Sequence, residues 1–424
     1  MKKTFSGFLI VMLCACFNVS AQETIKVMFY NVLNYPLEDA VPNRINDLSV
    51  ILNDYQPDLF LVCELNNIDG ALAIFNTTQT AINSNFEMAT YVSNTSDDNG
   101  TNQNDLQNLL YYDSTKFTLE AEIIVPTDLR DFNVYKLQLN TIDQDINPVE
   151  LYVVVCHLKA SSGTVNAQRR FDMVVELEAY LNTLPTDVNV LLGGDLNLYT
   201  ANESAFQELL DTSNAITFTD PVNRVGSWSN NSSFVDVFTQ STRTAVGFGG
   251  TRGGFDDRFD FILTSENMLG SSNLNYVSDS YQVFGNNGLT SCYNQAINSS
   301  DCETTGSEFQ FDIRNALHNF SDHLPVTLTL ETAASFLSVD EVNLVSGFYL
   351  EATVVTNHLV LHVTDADLFN KHLQIYNSLG QLVKTFQMTT NSKQYFEVSD
   401  LQDGLFFLNV AGRNANPIKF IISN

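Results

Sequence analysis

Val188-Asn189-Val190-Leu191-Leu192-Gly193-Gly194-Asp195-Leu196-Asn197 decides the fold. The apolar run at its start reads as a buried strand, and the glycine pair punctuates its end. Asp195 and Asn197 then stand two residues apart at the strand exit. Acids and amides are common at strand exits as turn formers, so one such residue means little. The chain repeats the pattern. Ile25–Val32 is a strand with Asn31 near its end, Asp58–Glu64 ends in Glu64, and Leu151–His157 ends in His157. Arg258-Phe259-Asp260-Phe261-Ile262-Leu263 carries Asp260, and Ser321-Asp322-His323-Leu324-Pro325-Val326 sets an acid beside an imidazole. Strand ends are rigid platforms where ligands gather in α/β folds. Carboxylates and amides suit a hard divalent cation, and a histidine suits a phosphate beside it.

Helical spacing fills the gaps between these strands. Arg44–Tyr55 puts Ile45, Leu48, Ile51 and Leu52 on one face, and helices are also expected over about 166–181 and 203–210. Asn108–Tyr112, Val134–Leu137 and Val326–Leu330 read as further strands. From about Val345 the texture becomes strand, turn, strand, as in Leu373–Lys384, Leu401–Val410 and Lys419–Ile422, which predicts a small β-sandwich. Thr332–Glu341 reads as the linker.

The net charge of -29 argues against holding nucleic acid on a broad basic surface, though not against an enzyme that uses a cation and a few arginines locally. Eight acids face five basic residues after position 335, so nearly all of the charge belongs to the middle of the chain. Lys2 and Lys3, the short apolar run Phe8–Phe17 and Val19-Ser20-Ala21 read as a secretory leader; Leu13-Cys14-Ala15-Cys16 also resembles a lipoprotein cleavage site. No later stretch is apolar enough to predict a transmembrane helix. Cys292 and Cys302 flank a polar loop and could close a disulfide in an oxidising compartment. Cys63 and Cys156 read as buried thiols which strand alternation turns away from the neighbouring site residues.

The Asn31 strand, the Glu64 strand, the His157 strand, G-D-L-N, R-F-D-F-I and S-D-H-L-P occur in an order that resembles the endonuclease/exonuclease/phosphatase superfamily, over about Thr24–Leu330. The resemblance implies a four-layer α/β sandwich of two mixed sheets flanked by helices. It implies metal ligation by Asn31, Glu64 and Asp322, with Mg²⁺ expected and Mn²⁺ or Ca²⁺ as alternatives. His157, Asp195, Asn197, Asp260 and His323 become the catalytic candidates: Asp195 for the attacking water, Asn197 for a phosphate oxygen, the histidines as donors to phosphate, Asp260 to orient His323. An ion pair to Arg258 is the competing reading for Asp260. Arg130, Lys159 and Asn108 are substrate-binding or supporting candidates, with an ordinary surface ion pair as the other reading of Arg130.

The terminal I-Y-N-S-L-G-Q-L-V and D-G-L-F-F-L-N-V segments resemble type IX secretion sorting domains, without the usual Pro-Asn-Pro start or a basic last residue. The expected organisation is a signal peptide over 1–21, a catalytic domain over 22–332, a linker over 333–344 and a sorting domain over 345–424. The expected protein is a monomer, exported through the periplasm to the surface or medium by the type IX machinery. Its expected activity is DNase I-like hydrolysis of extracellular nucleic acid. A lipid or small phosphodiester substrate, as in sphingomyelinases, is the second reading, and a catalytically silent surface-binding protein the third. Arg169 and Arg170 are expected to decorate a helix, His318 and Trp228 to lie at the surface, and Gly247–Gly254 to form a loop beside the site.

Overall fold

The computed structural model describes residues 22–96, 106–337, 347–411 and 417–423. The expected leader and residues 338–344 of the expected linker lie outside the described residues. The chain divides into two compact units, 1–337 and 338–424.

In the first unit the strands are β1 (Glu23–Tyr35), β2 (Leu59–Leu65), β3 (Phe86–Met88), β4 (Gln107–Asp113), β5 (Phe117–Val125), β6 (Phe132–Leu139), β7 (Glu150–His157), β8 (Asn189–Asp195), β9 (Phe218–Thr219), β10 (Asp260–Ser265), β11 (Asn275–Tyr276), β12 (Gln282–Val283) and β13 (Val326–Thr332). The α-helices are α1 (Ile45–Tyr55), α2 (Ile68–Ala81), α3 (Thr164–Leu181), α4 (Ser204–Leu209) and α5 (Phe311–Phe320). One mixed sheet runs β11-β13-β1-β2-β4-β3, with β12 also on β13; the other runs β5-β6-β7-β8-β10-β9. Within them β1 and β2 are parallel, as are β7 and β8, and the remaining pairs are antiparallel.

Side-chain alternation sorts the layers. Val154, Val190, Leu192, Phe261 and Leu263 join one core with Met173, Val174, Leu177 and Leu181 of α3 and Ala205, Phe206 and Leu209 of α4. Their neighbours Val153, Val155, Leu191 and Ile262 belong to the other core, shared with the first sheet and with α1, α2 and α5. The order is therefore helix, sheet, sheet, helix, the four-layer sandwich implied by the resemblance. The sheets approach closely at Gly193, where a Cβ would come within 2.7 Å of Leu61 Cδ2. Gly194 faces the other way, and a Cβ there would meet the Cys156 sulfur at 2.3 Å.

Several expectations change. Helices α2 and α5 had no place in the sequence reading, because Ile68–Ala81 carries a Thr-rich second half and Phe311–Phe320 is short. Asn67 caps α2, accepting the Gly70 N–H at 3.0 Å. Trp228 is wholly buried, edge-on to Phe206 and Phe261, with Nε1 donating to Arg224 O at 2.6 Å. His318 is buried too, 4.6 Å from the Phe248 ring. Part of the expected linker packs on this unit: Ile142 N–H donates to Ser335 O and Leu337 N–H to Asn140 O. Cys292 and Cys302 form a disulfide, while Cys63 and Cys156 are free and buried.

The second unit holds β14 (Phe348–Leu350), β15 (Val354–Val355), β16 (His358–Val363), β17 (His372–Asn377), β18 (Leu382–Gln387), β19 (Lys393–Glu397), β20 (Gly404–Val410) and β21 (Ile418–Ile422). They make sheets β14-β16-β19 and β15-β21-β20-β17-β18 around a separate core that includes Leu361, Ile375, Leu408 and Phe420. No helix among the described residues is long and apolar enough to cross a membrane.

Candidate active site

His157, Asp195 and Asp260 occupy one rung of the second sheet, since His157 pairs with Asp195 across β7–β8 and Asp260 pairs with Asp195 across β10–β8. All three share the parity of Val155, Gly193 and Ile262, so they face the first sheet. From that sheet Asn31 projects back, sharing the parity of Phe29. Its Nδ2 lies 3.0 Å from Asp195 Oδ2 and 3.0 Å from Glu64 Oε1. Asn31 Oδ1 accepts the Leu33 N–H at 3.0 Å, so the amide brackets two carboxylates through its nitrogen.

Glu64 reaches this cleft by a local irregularity. Its φ is +60°, and the pairing of β2 shifts between Val62 and Leu65. A left-handed non-glycine residue is a strained backbone that its surroundings must hold. Here the holding contacts are Asn31 Nδ2 and the Asn34 N–H, which donates to Glu64 Oε2 at 3.0 Å. The same irregularity corrects the reading of Cys63. Paired in register with Asn31, Cys63 faces the second sheet, and its thiol is raised by burial and then by Asp195, Glu64 and Asp260. Cys156 keeps the expected direction, in the core with α3.

His323 enters from the turn before β13. Its Nδ1 lies 2.7 Å from Asp260 Oδ2, and its Nε2 lies 3.9 Å from Asp195 Oδ2. Arg258 does not compete for Asp260; it pairs with both carboxylate oxygens of Asp220 at 2.8 Å. His157 Nε2 stands 3.6 Å from Asp195 Oδ2 and 3.9 Å from Glu64 Oε1.

The electrostatics follow from burying so many acids together. Glu64 is pushed above the usual carboxylate range by burial and then by Asp322. Asp195 is pushed up to about 8 by burial and then by Asp260. Burial alone would lower His323, but Asp260, Asp322 and Asp195 outweigh it and hold the imidazolium well above its ordinary value. His157 goes the other way, lowered by burial and by Arg130. The ligand-capable atoms of Glu64, His157 and Asp195 lie within 4.8 Å of one another, as do those of Asp195, Asp260 and His323. Asp260 Oδ1 and Asp322 Oδ1 are buried oxygens without a hydrogen-bond partner. Crowded, proton-hungry carboxylates with spare oxygens fit a hard divalent cation.

The remaining candidates surround this core. Asn197, at φ +51°, donates its N–H to Asp195 Oδ1 at 3.1 Å and its Nδ2 to Leu158 O at 3.4 Å. Arg130 is buried and makes no surface ion pair. Its Nη1 donates to His157 O and Leu158 O, and burial lowers it while Glu64 and Asp195 oppose the shift. Asn108 bridges the sheets, donating to Asp131 O and Asn133 Oδ1. Lys159 is half-buried, its Nζ donating to Ala160 O. Asp322 does not join either ligand cluster; its Oδ2 accepts the Thr251 N–H at 2.6 Å.

Sequence reasoning missed three supports. Arg170 is buried, pairs with Glu203 and donates to Lys159 O and Ser161 O, tying the exit of β7 to α4. Arg243 donates to Phe248 O, Gly249 O, His318 O and Asn319 O, sewing the glycine loop to the end of α5. Gln240 touches His323 directly, with 2.6 Å between Gln240 Nε2 and His323 Nε2. Only contacts distant in sequence single these residues out, and no local pattern carries them.

Among solved structures, the chain is similar to D. rerio TDP2 complexed with single strand DNA product, at 14% identity over 73% of this chain and 99% of that one, TM-score 0.45. It is also similar to the human Nocturnin catalytic domain with bound sulfate anion, at 13% identity, 73% and 97% coverage, TM-score 0.44. A third is an endonuclease/exonuclease/phosphatase family protein from Bacteroides thetaiotaomicron, at 12% identity, 74% and 96% coverage, TM-score 0.44. No curated protein matches the chain. At the other end the assignment rests on sequence: residues 355–424 match the family described as secretion system C-terminal sorting domain.

Proposed function

We propose that this protein is an exported, divalent-metal-dependent phosphodiesterase that cleaves nucleic acid outside the cell. One observation carries the reading: Asn31, Glu64, His157, Asp195, Asp260 and His323 converge between the two sheets, in contact through Asp195 and the Asp260–His323 pair. Glu64 and Asp195 would hold the cation, Mg²⁺ by preference for oxygen donors, and the Asn31 amide would turn to join them. When bound, the metal supplies positive charge against the phosphoryl oxygens. The chain's own groups do the rest. Asp195, held by Asn31 and the Asn197 N–H, orients the attacking water and accepts its proton. His323, kept charged by Asp260, donates through Nε2 to the phosphate as charge builds. His157 presents its own Nε2 to the same space, with Arg130 fixing its carbonyl. The C-terminal sorting domain supports export.

A lipid phosphodiester is the second reading, favoured by Leu37 and Val246, which are 57% and 70% exposed on loops that meet where Gly249 packs against Glu38. The test uses the full chain on supercoiled plasmid with Mg²⁺, with EDTA and His323→Ala as controls and sphingomyelin vesicles in parallel. Metal-dependent nicking lost in the variant supports the nuclease. Hydrolysis of the vesicles alone moves the substrate to lipid, and inertness on both, with folding intact, overturns the enzyme reading.

A further inference from the structure

The segment 239–251 grips residues 321–324 at several points. Leu324 N–H donates to Thr239 O at 2.7 Å, Thr242 N–H to Asp322 O at 3.1 Å, and Thr242 Oγ1 to Ser321 O at 2.6 Å. Thr251 N–H donates to Asp322 Oδ2 at 2.6 Å. Gln240 sits inside this grip and is buried. Its main chain is locked to the Asp257 turn: Gln240 N–H donates to Asp257 O, and the Asp256 and Asp257 N–H groups donate to Gln240 O. Its side chain therefore starts from a fixed point. From there the amide end comes within 2.6 Å of His323 Nε2. A charged imidazole offers only N–H at that nitrogen, so it is the amide oxygen, reached by a half-turn of the amide, that has to face it.

An imidazole held at one nitrogen can still swing about that contact, because the ring torsion has broad wells. Asp260 holds Nδ1. At Nε2 the other neighbours are more distant: Asn31 Nδ2 at 3.4 Å and Asp195 Oδ2 at 3.9 Å. The contact that stops the ring from swinging is therefore Gln240.

We propose that Gln240 is a positioning residue for His323: its side-chain amide, turned so that Oε1 accepts the imidazolium Nε2–H, fixes the ring plane and yields that nitrogen to a phosphate oxygen when substrate arrives. This rests on the phosphodiesterase reading above. The amide and the substrate oxygen address the same ring nitrogen, so Gln240 keeps the ring aimed at the cleft while the cleft is free of substrate. The segment that carries Gln240 also ties Asp322 to the glycine loop, through the Thr242 and Thr251 N–H groups.

The test uses the full chain with Mg²⁺ and bis(p-nitrophenyl) phosphate. Gln240→Met preserves side-chain length and packing but removes the polar contact; Gln240→Ala removes both. Both variants are expected to lose kcat on the order of tenfold with KM within about twofold, since misaim slows the reaction more than it weakens binding. Gln240→Met should keep the wild-type Tm. Wild-type kcat and KM in Gln240→Met would overturn the proposal. A second readout does not need activity: with ¹⁵N-labelled histidine, the His323 Nε2 resonance should move in Gln240→Met. An unmoved resonance overturns the proposal even if wild type hydrolyses nothing; that inertness would instead count against the functional reading.

Discussion

Asp260, the first residue of β10 in one sheet, meets His323, ahead of β13 in the other, at 2.7 Å. This contact spans the cleft between the sheets. Asp260→Asn should keep the shape of the contact but remove the charge that favours the imidazolium. Loss of an aspartate that orients a catalytic histidine costs roughly 10²–10⁴-fold in kcat. The stability effect has a definite sign. His323 is raised in the folded state, so its contribution is complete below its unfolded value and fades as pH rises toward the folded value. The Tm difference between wild type and Asp260→Asn should therefore be larger at pH 6 than at pH 9, which thermal melts would check.

Glu64 and Asp195 are both raised, so each penalises the folded state increasingly as pH climbs above its unfolded value. A bound divalent cation cancels that penalty. Melts in EDTA and in Mg²⁺ should show a gain from Mg²⁺ that grows between pH 5 and pH 8. Asp195→Asn should flatten that growth. A gain independent of pH would contradict the carboxylate ligands.

The Arg258–Asp220 pair is fully buried, bidentate and further bonded to Tyr281 Oη. Removing one partner leaves a buried charge alone, which costs about 3–5 kcal/mol. Arg258→Ala should lose about that much in denaturant unfolding. Arg224→Ala breaks a solvent-exposed pair with Asp236 and should change stability by about 0–1 kcal/mol.

Glu178 lies buried on α3 with neither carboxylate oxygen hydrogen-bonded. Burial, with Glu208 and Asp211 nearby, pushes it up to about 8. Its cost is absent below the unfolded value and grows as pH rises toward 8. Glu178→Gln should therefore stabilise by about 2 kcal/mol at pH 7 and by almost nothing at pH 4, with activity unchanged. Equal Tm values for variant and wild type at pH 7 would contradict this.

The site residues were legible because each stands beside an apolar run: His157 and Asp195 end β7 and β8, Glu64 is next to last in β2, Asn31 lies in β1, Asp260 opens β10 and His323 precedes β13. Several such residues in one order outweigh the ambiguity of any one. The alternation rule failed at Cys63 because it assumes an unbroken pleat, and Glu64 breaks it with a left-handed backbone. Trp228 sits in an Asn/Ser-rich stretch whose polarity hides that its indole fills the space between α4 and β10. Gln240 and His323 are 83 residues apart, a separation at which periodicity carries no information. Arg170 and Arg243 were misjudged or passed over for a related reason. Their partners are mostly backbone carbonyls, which every residue has, so composition leaves no trace of them.

His157, Asp195 and Asp260 share one rung, so their convergence depends on two pairings, β7 with β8 and β8 with β10. A slip of one residue in either pairing would turn one of these three side chains toward the helices and bring an apolar or glycine neighbour into the cleft. A chain misthreaded in this way would keep its strand content and much of its compactness, yet have no chemistry. Turnover would then be a sharper report of native threading than any spectroscopic measure of secondary structure.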